Sequence, residues 1–502
     1  MRKNKSIPNI IIFNPDQWRG DVVSYIGNKA AITPNLDAIV QNDAVGFANA
    51  FCQNPVCTPS RCSFMSGWYP HVRGHRTMFY MMRPDEPVLL KTLKDNGYFV
   101  WWGGKNDLVP AQHGFSAYCD IKFVPQPGKY SPAKWDPSKF GSIDGDIYYS
   151  FFYGKLENEA RTEDIAWDWD WGNIFGAIDF INSYNGSKPF CIYLPLGFPH
   201  PPYRVENPWH DMINRALIPP RISSIKKEDL KPSILKGIIE RQNLQNWSEE
   251  RWRELRAVYY GMCARVDYQF GLVVEALRKC GLYDNTAIFF FADHGDFTGD
   301  YGLVEKTQNT FEDCLTRVPF VIKPPANVPL KPGVRNALVE LIDFPATVEE
   351  ITGIGHFHTH FGRSLLPIIS GKTDIHRDAV FCEGGRRHGD TQCMELESPQ
   401  GKEFQYWPRL SLQVQEGPEH TLATMCRTEK FKYVKRLYET DELYDLTADS
   451  NEQNNVINNP AYRNVLSTMT GERAWCKTAS DRAGWETSKG AAEALYLELL
   501  TE

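Results

Sequence analysis

The chain has 502 residues and a formal net charge of -7 at pH 7. That length exceeds what one hydrophobic core usually serves, so two domains are expected, and an acidic balance offers no electrostatic footprint for a nucleic-acid partner. No run approaches the roughly 20 apolar residues of a membrane-spanning helix; with 42% hydrophobic and 23% charged residues, the composition is that of a globular protein with no membrane partner.

Met1-Arg2-Lys3-Asn4-Lys5-Ser6 starts like a basic signal peptide, but the apolar run behind it is only Ile10 to Phe13, between Pro8 and Pro15. A secretory core needs about 7–15 apolar residues, so a first strand and a cytoplasmic location are expected. The 12 cysteines form no Cys-x-x-Cys pair, and free thiols are expected of them. The 14 Trp and 23 Tyr would suit the aromatic faces of a sugar-binding cleft as well as a core.

Asn9 to Phe13 reads as a buried parallel strand ending at Asn14-Pro15-Asp16-Gln17. Ligands of open α/β sheets bind beyond the carboxyl ends of strands, which places Asp16 and Gln17 at a site. Their carboxylate and amide oxygens suit a hard cation. Thr33-Pro34-Asn35-Leu36-Asp37 opens a helix with a Thr cap and Pro in the first turn. Phe47 to Phe51 is a strand leading into Cys57-Thr58-Pro59-Ser60-Arg61, a loop feeding a helix. Cys57 then lies at the helix N-terminus, where the dipole favours negative charge, and Arg61 points back at it.

Leu89 to Asn96 is a helix ended by Gly97, and Tyr98 to Trp102 a strand followed by Gly103-Gly104-Lys105-Asn106-Asp107. Residues 105–170 have little periodicity and are expected to shape a substrate cleft. A helix over Asp170 to Tyr184 and a strand over Phe190 to Leu196 lead to His200-Pro201-Pro202, where prolines fix the His in a turn. Residues 204–250 read as an excursion over the cleft, and Glu249 to Arg278 as a long helix. The strand Thr286 to Ala292 ends at Asp293-His294-Gly295-Asp296, with Lys306, Glu312 and Arg317-Val318-Pro319 beyond it. After Gly371 come short strand-like runs, Ala379 to Cys382, Phe431 to Lys435 and Glu442 to Leu446. The division expected is 1–371 and 372–502.

These motifs resemble those of the type I, formylglycine-dependent sulfatases of the alkaline phosphatase superfamily, over all but about residues 110–185 and 204–250. The resemblance implies an α/β fold: a large mixed, mostly parallel sheet sandwiched by helices, with a smaller C-terminal α+β subdomain carrying an antiparallel sheet. It implies that a maturase converts Cys57 to formylglycine, which Arg61 orients. It also implies a divalent ion, Ca²⁺ with Mn²⁺ or Mg²⁺ as substitutes, held by Asp16, Gln17, the modified Cys57, Asp293 and His294. Gln17 stands where the family usually has a second Asp. Lys105, His200 and Lys306 would hold the sulfate, and His200 or Lys306 would protonate the leaving oxygen. Asp107 occupies the position of a family His that contacts the nucleophile.

The activity implied is hydrolysis of a sulfate ester on a mono- or oligosaccharide of glycosaminoglycan or mucin type. The alternatives are a phosphonate monoester or phosphodiester hydrolase of the same superfamily, and a non-catalytic glycan-binding relative. Outside the shared motifs, Arg386-Arg387-His388 lies in a glycine-flanked loop and is either a solvated basic turn or a cluster that reads a second anionic group such as a uronate carboxylate.

Overall fold

The computed structural model describes residues 7–126, 152–155, 161–162, 165–166, 168–226, 229–356, 358–393, 406–415, 417 and 420–470. Much of the cleft-shaping stretch expected over 105–170 therefore lies outside the described residues.

Ile10, Ile11, Ile12 and Phe13 are all fully buried. A strand apolar on both faces belongs in the middle of a covered sheet. Asn9–Asn14 accordingly lies inside an eight-stranded sheet, between strands Thr286–Phe291 and Phe190–Pro195, parallel to both. On one side the sheet continues through Phe99–Gly103 to Ile121–Phe123, still parallel. On the other, Arg317–Lys323 runs antiparallel to Thr286–Phe291 and to Val45–Phe51, and Gly333–Glu340 closes that edge parallel to Val45–Phe51. The sheet is thus mixed and mostly parallel, as expected.

Strand periodicity sorts the helices to the two faces. Phe290 meets Phe270 of the helix Glu249–Lys279 (5.2 Å between ring centroids), and Phe13 stacks on Phe290. Its neighbours Phe289 and Phe291 point the other way, each packing on Phe344 of the helix Asp343–Thr352 at 4.9 and 5.0 Å. Phe291 also meets Phe64 of the helix Cys57–Ser66. Each such ring removed from water contributes roughly 1.5–3 kcal/mol. No helix of the described residues is long and apolar enough to cross a membrane.

Beyond the main sheet, Val380–Gly384, Ala423–Arg427, Phe431–Arg436 and Glu442–Asp445 form a four-stranded antiparallel sheet. The helix Arg463–Thr470 packs on it through buried Met469. This is the smaller α+β unit the motifs imply.

One expectation fails locally. Thr33 precedes the helix Pro34–Asn42 but does not cap it. Its hydroxyl lies 2.6 Å from that of Ser24. The orphan N–H groups of Asn35 and Leu36 donate instead to Asp267, in the middle of Glu249–Lys279, at 3.0 and 2.9 Å. A cap supplied from another helix pins Pro34–Asn42 against it. Asp267→Ala is expected to cost about 1–2 kcal/mol, as loss of a cap does, and to speed hydrogen exchange at the Asn35 and Leu36 amides. Unchanged exchange there would refute the cap.

Candidate active site

The parallel strands deliver their C-terminal ends to one edge, and every motif residue but the Arg386 cluster follows such an end. Arg61 organises them. Its guanidinium is fully buried and pairs with Asp16 at 2.9 Å and Asp293 at 2.8 Å, while Asn14 accepts from it at 3.0 Å. Asn14 in turn donates to the Phe291 carbonyl at 2.8 Å. Ser60, one residue before Arg61, donates to the Asp293 carbonyl at 2.6 Å. One turn of the helix Cys57–Ser66 is thereby bolted to the ends of the two central strands.

Cys57 is the first residue of that helix and is buried. Its Sγ lies 3.2 Å from His294 Nε2, 3.5 Å from Asp16 and 3.7 Å from Lys105 Nζ. Burial, then the Asp16 charge, pushes its thiol up to about 12. The Asp16 carboxyl is also raised by burial, but Lys105 and Arg61 outweigh that and hold it well below the ordinary range.

Lys105 reaches the site because Gly104 takes φ 89° and passes so close to Pro195 that a Cβ would run into its carbonyl oxygen. The Lys105 N–H donates to that same oxygen at 2.8 Å. Its Nζ lies 2.6 Å from Asp16 and 2.8 Å from Asp107. Asp107 thus flanks Lys105; its carboxylate is engaged there and makes no hydrogen bond to Cys57 among the described residues.

His200 and Lys306 arrive from two further loops. Phe198 accepts from the Asp16 N–H at 3.2 Å, which ties the His200 turn to the first strand's loop. The His200 Nδ1–H donates to the Pro201 carbonyl at 2.7 Å, so Nε2 carries no proton in the neutral ring. Burial, with Lys306 adding to it, keeps that ring well below its ordinary pKa. Lys306 donates to the Gln17 amide oxygen at 2.6 Å.

Gln17 is engaged at both ends of its amide. Its Oε1 is taken by Lys306, its Nε2 donates to Asp296 at 2.5 Å, and its main chain at φ 67° donates to Asp293 at 3.0 Å. As held, it braces Lys306. The donors that converge are Asp16, Cys57, Asp293 and His294, all buried, with one ligand atom from each inside 4.8 Å of the others. These donors fit a divalent cation. His294 Nδ1–H donates to the Gly295 carbonyl at 2.9 Å, leaving the Nε2 lone pair toward Cys57; a second partner of this kind fixes ligand tautomers in metal sites. Asp293 Oδ2 faces Arg61 without an aligned hydrogen bond, and so keeps acceptor capacity.

The Arg386 cluster does not behave as a unit. Arg386 is buried and donates to the main-chain carbonyls of Gln413, Asp390 and Gln415, at 3.2, 3.2 and 3.0 Å. It holds its own loop, which corrects its expected role on substrate. Arg387 and His388 are exposed. Arg76, which sequence reasoning missed, is pushed below its ordinary value by burial and then by Arg387 nearby.

Two other groups were missed. The Tyr406 ring packs edge-on to His200 at 6.2 Å, and Lys306 and Lys105 both act on its hydroxyl. It lies far from every motif in the chain, so no local pattern marks it. Asp296 is buried behind Gln17 and accepts from Tyr203 at 2.8 Å, while Tyr203 accepts from the Glu305 N–H at 2.9 Å. Its place two residues after His294 was the available signal. Asp296→Ala would strip the Gln17 amide and the Tyr203 hydroxyl of their shared acceptor. A buried group left unsatisfied costs about 1–3 kcal/mol, and kcat is expected to fall with Lys306 unbraced. A kcat equal to wild type would disconnect Asp296 from the site.

A sulfatase family profile matches residues 8–354. The chain is 25% identical to an arylsulfatase K of Gallus gallus, over 90% of this chain and 80% of that protein. It is 24% identical to an ulvan-active sulfatase of Formosa agariphila, over 92% and 79%. A solved phosphonate monoester hydrolase of Agrobacterium radiobacter shares the fold, with a TM-score of 0.72 at 22% identity over 94% of this chain and 96% of that one. With Cys57, Arg61, Lys105, Asp293 and Lys306 all inside the matched span, the chain belongs to the sulfatase family and is a hydrolase of sulfuric esters.

Proposed function

We propose that the substrate is a small sulfated carbohydrate and that residue 57, as formylglycine, is the nucleophile. One observation carries the reading: Lys105 and Lys306 converge on Cys57, and these two with His200 converge on Asp16. A sulfate monoester spreads one negative charge over three oxygens. Two ammonium groups anchored by Asp16, Asp107 and Gln17 match that charge without having to reorganise. Sugar sulfate is supported by the ulvan-active relative and by Tyr406, an aromatic face beside His200.

The residues divide the work. Lys105 is held between Asp16 and Asp107 and binds sulfate oxygens. Lys306 carries the proton that the leaving oxygen needs, because neutral His200 has its one proton committed to Pro201. His200 Nε2 is an acceptor, suited to a sugar hydroxyl. Asp16, Asp293 and His294 would hold a divalent cation, Ca²⁺ by preference for an oxygen-rich set with Mn²⁺ or Mg²⁺ as substitutes, which supplies Lewis-acid polarisation. Conversion of Cys57 by a maturation enzyme would supply a hydrated aldehyde, a hard oxygen nucleophile in place of a soft sulfur that such an ion binds poorly.

Peptide mass spectrometry after co-expression with a cysteine-type maturase is expected to find the aldehyde at Cys57, with Cys52 and Cys62 unmodified. Turnover should vanish in Cys57→Ala; activity surviving there would sink the mechanism. Exhaustive chelation is expected to abolish hydrolysis of sulfated saccharides, and Ca²⁺ to restore it. A panel of sulfated sugars, aryl sulfates and phosphodiesters tests the substrate class. Faster turnover of diesters than of any sulfate would overturn it.

A further inference from the structure

The helix that begins with Cys57 ends about 15 Å away, at 1.5 Å per residue, and a histidine-rich segment closes that end. His358 Nε2–H donates to the Ser66 carbonyl at 2.7 Å, Trp68 Nε1–H to the Thr359 carbonyl at 2.7 Å, and the Phe361 N–H to the Gly67 carbonyl at 2.9 Å. Gly67 turns the chain at φ 72°, and a Cβ there would press on His360. The same segment folds two imidazoles around one carboxylate of the helix Asp343–Thr352. Glu349 Oε2 lies 2.6 Å from His356 Nδ1 and 3.0 Å from His360 Nε2.

One ligand atom from each of Glu349, His356 and His360 falls inside 4.8 Å of the others. A tetrahedral zinc site with bonds of about 2.0–2.1 Å has ligand–ligand edges of about 3.3 Å, so the spacing needs only a small spread. Glu349 and the His360 ring are buried, whereas His356 is 74% exposed and leaves a way in. Among the described residues His360 Nδ1 is buried without a hydrogen-bond partner, and the ring's polar contact is made through Nε2.

We propose that Glu349, His356 and His360 form a second metal site, separate from the catalytic centre, for a borderline transition ion of the Zn²⁺ type. Two imidazole nitrogens and one carboxylate oxygen are a zinc donor set and a poor one for Ca²⁺ or Mg²⁺. The ion would replace the two N–H contacts to Glu349, each ring carrying its proton on the other nitrogen. It would tie the C-terminal end of the nucleophile helix to Asp343–Thr352.

The test uses the full chain, stripped by chelator and preloaded with excess Ca²⁺, then titrated with Co²⁺ and displaced by Zn²⁺. Wild type is expected to bind one more equivalent of Co²⁺ than His356→Ala, with the visible absorption of a four-coordinate ion. His356 is exposed, so its loss does not threaten folding. The variant's affinity should fall by more than the roughly 10- to 100-fold that loss of a supporting partner costs. Zn²⁺ should raise Tm and slow amide exchange over 66–68 in wild type and not in His356→Ala. The catalytic donors are identical in the two proteins, so the difference reads the second site alone, and its failure leaves the sulfatase reading standing. Equal stoichiometry and absorption in both proteins, or an equal Tm response, would overturn the proposal.

Discussion

A buried cation between two buried carboxylates governs this site. Removing Arg61, Asp16 and Asp293 from water costs several kcal/mol per ion, and their attraction offsets that only where the geometry is good and the remaining polar atoms are satisfied. Here Arg61 has Asn14 besides the two carboxylates, and Asp293 takes N–H groups from Gln17 and His294. The consequence is positional. Asp16 and Asp293 end neighbouring strands, so one guanidinium sets the spacing of the two carboxylates that would face a cation. Arg61 is also one helical turn from Cys57, so the same contact sets the distance from Cys57 to the two carboxylates. A lysine could not do this, having one point charge in place of a planar fork.

The antiparallel strand follows from the same requirement. Thr286–Phe291 delivers Asp293 and His294 to the catalytic edge, and Lys306 must reach that edge as well. The chain stays there through residues 293–316 and returns down the sheet as Arg317–Lys323. Two close passes hold this excursion in place. Gly295 donates to the Leu315 carbonyl at 2.7 Å, and a side chain on Gly295 would collide with the Cys314 carbonyl. Gly104 does the equivalent for Lys105 against Pro195. A crossover helix at this point would have carried Lys306 to the opposite edge.

Much of this was legible in the sequence, for a physical reason. Strands buried on both faces read as unbroken apolar runs, and the residue that follows such a run is at the site by topology. Asp16 is placed that way; Lys105, His200 and Asp293 also follow strands, and it is their resemblance to the sulfatase motifs that singles them out. Three kinds of contact were not legible. Asp267 caps a helix more than 200 residues before it, and no local pattern carries such a pairing. Tyr406 comes from the C-terminal part and meets His200 across the fold, so no local pattern carries that contact. Arg386 has the composition of an anion site, yet three carbonyls of its own neighbourhood reach it first. Composition reports what a side chain is able to bind, and packing decides what it does bind.

Gln17 shows how a departure from a family pattern can be chemically coherent. Asp16, Asp293 and Asp296 already place three carboxyl groups in one dry region, and burial pushes Asp296 up to about 7 despite hydrogen bonds from Tyr203 and Gln17. A fourth carboxylate at residue 17 would repel Asp296 and add its own desolvation cost. It would also be acceptor-only, whereas the position needs a donor toward Asp296 and an acceptor toward Lys306 at once. An amide is the group that offers both on one planar end, and glutamine has the length to span the two at 2.5 and 2.6 Å. The amide at residue 17 is a neutral brace. It gives Lys306 a fixed seat beside the cluster of Asp16, Cys57, Asp293 and His294.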